Sequence, residues 1–166
     1  MVGGMARPPR ARARSIIRSL PDPDSFIEVN VIPMSERPAR PKWTTGASIT
    51  IEGSGVVLAS RIEVAGDSAS RRKGLLGRER LDPGEAIVIA PCQGVHTFGM
   101  RFAIDIVAVA RDGSVIKIRS HVPRRRIVIA LNAFAIIELP LGSVEGSTLK
   151  VGDRLVVHPA SVVVGT

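Results

Sequence analysis

Cys92 and His96 stand four residues apart in the run Pro91-Cys92-Gln93-Gly94-Val95-His96-Thr97-Phe98-Gly99-Met100, which continues through Arg101 to Asp105. Cys92 is the only cysteine and His96 is one of three histidines. An imidazole beside a thiol favours the thiolate, so the pair is a candidate nucleophile or redox couple. Adding His121 or Asp105 gives three metal ligands with an open position. A Cys-x-x-x-His pair falls short of a zinc signature, and the sequence commits to no metal and no cofactor. The alternative for the pair is structural: Cys92 fills space at a strand end as a small hydrophobe, and His96 bonds the loop backbone.

Asp105 lies inside the apolar run Ile104 to Ala110, where an unpaired carboxylate is costly. It must be paired, hydrogen-bonded or placed at a wet cleft. Arg101, four residues earlier, is one partner on offer, and the backbone N–H groups of the bend are others. Asp105 is therefore either a buried staple for the Phe98–Met100 loop or a functional carboxylate with a shifted pKa. Phe98, Met100 and Phe102 suit a core or the lip of a pocket.

A second group is cationic. Period-two spacing puts Lys117, Arg119 and His121 on one strand face, and Arg124-Arg125-Arg126 follows Pro123 directly. Together these six form a candidate anion-binding patch for phosphate or a nucleic-acid backbone. No aromatic residues are interleaved, which disfavours stacking on bases. The competing reading is a solvated face that discourages edge pairing. Arg71-Arg72-Lys73 is read the same way, and no phosphate-loop glycine pattern accompanies it.

The elements that position these residues read mostly as strands. Val57 to Ala65 alternates as a strand. Asp67 to Ser70 supplies N-cap residues for one short basic helix closing on Gly77. Leu81-Asp82-Pro83-Gly84 is a turn, and Ala86 to Ala90 is an apolar strand stopped by Pro91. Ile104 to Ala110 is a strand buried on both faces. Asp112-Gly113 turns the chain into a return strand, Ser114 to His121. Two further strands are expected near Ala133–Leu139 and Arg154–His158, with a turn or short helix between them. The reading is an α+β, mainly β fold: a compact barrel-like sheet of about six strands with one short helix.

Composition sets bounds on the rest. The 166 residues suggest one domain, and 45% hydrophobic residues can fill a core built from Val, Ile, Leu and Ala, since aromatics are 3% and Tyr is absent. Residues 1–46 carry seven of the twelve prolines, eight Lys/Arg and four Asp/Glu. They read as a disordered or loosely docked basic arm, with a single globular domain over 47–166. The formal net charge of +8 favours loose contact with acidic partners. A lone cysteine excludes an internal disulfide framework. The leader lacks an apolar h-region. Ile127 to Leu141, broken by Asn132 and Glu138, is too short to span a bilayer. A cytoplasmic protein without a membrane span is expected, with its oligomeric state open.

One resemblance emerges from the order of motifs: Arg-x-x-Gly-Leu-Leu-Gly-Arg over 71–78, His96-Thr97-Phe98-Gly99-Met100-Arg101, Ile104-Asp105-Ile106-Val107, Asp112-Gly113, Glu138-Leu139-Pro140 and Val151-Gly152-Asp153. Over roughly residues 57–157 the chain resembles the bacterial and archaeal domain-of-unknown-function family 192. Many members carry Trp-Met-Lys-Asn-Thr at the bend, where this chain has its cysteine and His-Thr-Phe. The resemblance implies a compact, mainly β fold and no established activity, so it carries over no catalytic residue.

Three functions follow as expectations. The first is a binding or accessory module with a polar pocket at the Cys92–Asp105 bend, in which His96, Thr97, Phe98, Met100, Arg101 and Asp105 meet a small molecule or peptide. The second is a thiol-dependent enzyme or redox protein using Cys92 and His96. The third is a weak nucleic-acid binder using the basic arm and Arg124–Arg126.

Overall fold

Runs of β-branched residues, alternating or continuous, dictate strands along most of this chain. The computed structural model describes residues 40–67, 69–70 and 74–160 in full, and 15–19 and 26–30 by their backbone. Two compact units divide the chain, Met1–Pro38 and Ala39–Thr166. In the first, β1 (Ser15–Ser19) pairs antiparallel with β2 (Phe26–Asn30). The remainder of the expected basic arm, up to residue 39, lies outside the described residues.

The second unit holds β3 (Ser48–Ile51), β4 (Val57–Ala59), β5 (Arg61–Ala65), β6 (Glu85–Ile89), β7 (Gly94–His96), β8 (Ile104–Val109), β9 (Val115–Val122), β10 (Ile127–Ile129), β11 (Ala135–Pro140) and β12 (Leu155–His158). Its main sheet has the order β5-β6-β11-β8-β9, parallel between β5 and β6 and antiparallel elsewhere. A second sheet runs β12-β3-β4, and β10 pairs with β7 alone. The fold is mainly β, as expected. Among the described residues the sheets stay separate and close no barrel, and the strands exceed the six anticipated.

Burial explains the layering. β8 is buried along its whole length and β11 nearly so, which is why both read as continuous apolar runs rather than alternating ones. One face of the main sheet packs Val88, Val107 and Ile137 against Ile49, Ile51, Leu58 and Leu155 of the smaller sheet. The other face packs Ile87, Ile106 and Ile136 beneath Leu75, Leu81 and Met100 of the connecting segments and Val128 of β10. Trp43, just before β3, leans on the first of these clusters.

One expectation is revised in detail. Val57 to Ala65 is not one strand. The backbone N–H groups of Ser60 and Arg61 both donate to the Gly84 carbonyl, at 2.8 and 3.0 Å, and the Ser60 hydroxyl donates to it as well. This clamp turns the chain, so β4 enters the small sheet and β5 the large one. Of the expected short helix, Ala69 and Ser70 are described and are helical, with Ser68 and Arg71–Lys73 outside the described residues. Asp67 Oδ1 accepts from the N–H groups of Ala69 and Ser70 at 2.8 and 2.9 Å, and the Gly74 N–H donates to the Ser70 carbonyl. The Ser70 hydroxyl and these N–H donors hold the Asp67 carboxyl well below the usual range, at about 2.

Candidate functional site

The bend between β6 and β8 folds back on β10. The Ala130 N–H donates to the Gln93 carbonyl, and Gly94, Val95 and His96 stand opposite Ile129, Val128 and Ile127. A glycine suits position 94, because a Cβ there would lie 3.3 Å from the Val128 carbonyl oxygen.

Cys92 and His96 do not form a dyad. The Cys92 thiol is half-buried and donates to the Gly94 carbonyl at 3.1 Å. The His96 ring is exposed and lies 5.9 Å from the Phe98 ring, centroid to centroid. No hydrogen bond joins thiol and imidazole among the described residues. Nor do three His, Cys, Asp or Glu side chains converge there as metal ligands.

Thr97 is fully buried and acts as a peg. Its hydroxyl donates to the Pro123 carbonyl at 2.7 Å and accepts from the Arg126 N–H at 2.9 Å. Its backbone N–H donates to the Arg126 carbonyl, and its carbonyl accepts from the Arg125 N–H. Four hydrogen bonds thus fix the turn from Pro123 to Arg126. They offset the strain of Arg125, whose φ of 60° is left-handed backbone uncommon for a side-chain-bearing residue.

Asp105 is fully buried and satisfied by backbone alone. Oδ1 accepts from the His121 N–H and Oδ2 from the Val144 N–H, both at 2.9 Å. Arg101 is not its partner: that side chain is exposed and pairs with Glu79. Asp105 therefore staples the end of β9 and the loop after β11 to β8. Met100 is buried, while Phe98 stays largely exposed.

The cationic residues do not form one ladder. Lys117 and Arg119 oppose Ala108 and Ile106, but register irregularities interrupt the pairing of β8 with β9. His121 has left-handed φ at 54°, and its Nδ1 lies 3.3 Å from Glu145 Oε1. The Lys117 ammonium donates to the Ile129 carbonyl at 2.6 Å. Arg126 reaches back to the Arg125 carbonyl. Arg124 and Arg125, both exposed, have no acidic partner among the described residues. With Gly99, Met100 and Pro123 they line an open depression of about 410 Å³. The fixed turn thus brings two expected groups of residues, bend and arginine run, to one place.

A second depression, of about 540 Å³, is lined by Cys92, Gln93, Arg111, Asn132 and Phe134, among others. The Arg111 guanidinium stacks 4.5 Å from the Phe134 ring centre.

One unusual residue escaped the site reading of the sequence. Glu138, in β11, is buried opposite Ile87 and Ile106, and its Oε2 has no partner. Burial pushes its carboxyl up to about 7, against a weaker opposing pull from Arg78. Its position in the apolar run from Ile127 to Leu141 was the available signal, the same one that marked Asp105.

Comparison with known proteins bears on the fold. No curated protein matches the chain. A "putative transcription regulator" from Sinorhizobium meliloti 1021 superposes with a TM-score of 0.61 at 19% identity, over 70% of this chain and 97% of that one. A protein of unknown function from Novosphingobium aromaticivorans DSM 12444 gives 0.59 at 19% identity, over 90% and 99%. At such identity the likeness shows a shared fold. The profile of domain-of-unknown-function family 192, described as an uncharacterized ACR, matches residues 48–157, spanning every strand from β3 to β12 except the last residue of β12. The chain belongs to that family.

Proposed function

We propose that this protein is a non-catalytic binding module whose ligand is anionic, held at the depression between the Thr97–Met100 turn and Arg124–Arg125. One observation carries the reading: two arginines without acidic partners among the described residues wall a depression whose backbone Thr97 pins with four hydrogen bonds. Preorganised guanidinium groups are strong, geometrically selective anion binders. Phe98 and Met100 supply an apolar lip, and Asp105 holds the frame by fastening β8 to the segment that leads into the turn. In this reading Cys92 serves the fold, its thiol being engaged by the Gly94 carbonyl. A reducing, cytoplasmic setting suits its single thiol.

Calorimetric titration with inorganic pyrophosphate at low salt tests the proposal. Binding is expected, weakening as salt rises, and falling by about tenfold or more in the Arg124→Ala/Arg125→Ala variant. Cys92→Ser is expected to bind like the parent. Equal affinity in parent and double variant would defeat the reading, and so would loss of binding in Cys92→Ser with the arginines intact. Tighter, sequence-tolerant binding to DNA in place of pyrophosphate would favour a nucleic-acid backbone as ligand.

A further inference from the structure

Beside the arginine depression runs an apolar stripe that the fold leaves uncovered. Ile127, Ile129 and Leu131 are 64%, 56% and 73% exposed, and Phe98 is 47% exposed. The residues between them, Val128 and Ala130, are buried. Strand alternation therefore turns one set inward and leaves the other projecting. Register makes the stripe continuous: Ile127 stands opposite His96, and the His96 ring meets the Phe98 ring. Phe98 in turn adjoins Gly99 and Met100, which line the depression with Arg124 and Arg125. Lys117 flanks the far side, with its ammonium on the Ile129 carbonyl.

We infer that this face docks on an anionic phospholipid surface, with Arg124 and Arg125 taking headgroup phosphates while Ile127, Ile129, Leu131 and Phe98 enter the interface. The inference rests on the anion-site reading above and names its ligand. Charge complementarity argues for it: among the described residues, Arg124, Arg125 and Lys117 stand beside the projecting apolar side chains. Basic residues beside projecting apolar groups are what an anionic lipid interface attracts. Ile127 and Ile129 stand out from a two-stranded ribbon, and with Leu131 they line neither depression described above. A bilayer accepts such projections in any arrangement, whereas a protein partner must supply a matching hollow. Lys117 also occupies the Ile129 carbonyl, which obstructs strand addition along that edge.

Co-sedimentation of the full chain with vesicles tests this. Vesicles of equal parts phosphatidylglycerol and phosphatidylcholine are expected to bind the protein, and pure phosphatidylcholine vesicles are not. The Ile127→Ser/Ile129→Ser/Leu131→Ser variant is expected to lose about tenfold or more in vesicle affinity while keeping its pyrophosphate binding. Leu131→Trp provides a readout that does not need the triple variant to fold: its emission is expected to shift to the blue with anionic vesicles. Vesicle binding unaffected by the triple substitution, or no blue shift, would overturn the docking inference. Pyrophosphate binding without vesicle binding would overturn it too, yet leave the anion site standing. Loss of both would overturn both. Tighter binding to an acidic, leucine-bearing peptide than to vesicles would overturn the lipid assignment in favour of a protein partner.

Discussion

Two carboxylates lie inside apolar strands, and their surroundings give them opposite fates. Asp105 has one backbone N–H on each oxygen, whereas Glu138 has an oxygen with no partner. A lone acid in an apolar run announces itself in the sequence, because its burial demands neutralisation. Which groups neutralise it does not, since His121 and Val144 lie 16 and 39 residues away and arrive only through the sheet. Glu138 is the residue to titrate. The folded state holds its proton more tightly than the unfolded chain, where the carboxyl returns to 4.5. The contribution of Glu138 to stability is therefore greatest below about 4.5 and declines as pH rises toward about 7, beyond which the penalty is complete. Glu138→Gln stays neutral and should flatten this slope, gaining on the order of 3 kcal/mol above neutrality. Urea unfolding across this range checks it, and an unchanged slope in the variant would contradict the assignment.

At the scale of elements, β6, β8, β9, β11 and β12 were legible because length, apolar content and turn residues agree there. β7 and β10 were not, because three-residue strands carry no readable period and form only by meeting each other. The same holds for β4 and β5, which look continuous until the Gly84 carbonyl clamps Ser60 and Arg61. The bend was legible as a special segment, but its chemistry was not. Spacing alone could not tell that the thiol would face Gly94 or that Thr97 would become a peg. Asp105 works at this scale too, joining β8 to the end of β9 and to the loop after β11. Asp105→Asn turns one acceptor into an amide donor facing a backbone N–H. Destabilisation of about 2–4 kcal/mol is expected, with faster hydrogen exchange at His121 and Val144. A thermal transition within error of the parent, with unchanged exchange, would show that the staple contributes nothing.

For the molecule as a whole, composition forecast a core of aliphatic residues, and the two packed clusters are that core. It did not forecast how the strands divide among sheets, since that depends on pairings distant in sequence. Net charge marked the protein as basic without saying where the charge acts. The fold answers by bringing Arg124 and Arg125 beside the bend and leaving the Ile127–Leu131 stripe next to them. Among the described residues no helix is long and apolar enough to cross a membrane. The turn pinned by Thr97 is the proposed anion site. Amide chemical-shift mapping during a pyrophosphate titration tests it most directly. Saturable shifts concentrated at Thr97, Gly99, Arg125 and Arg126 are predicted. Shifts scattered evenly over the basic surface, or confined to the Cys92–Arg111 depression, would contradict it.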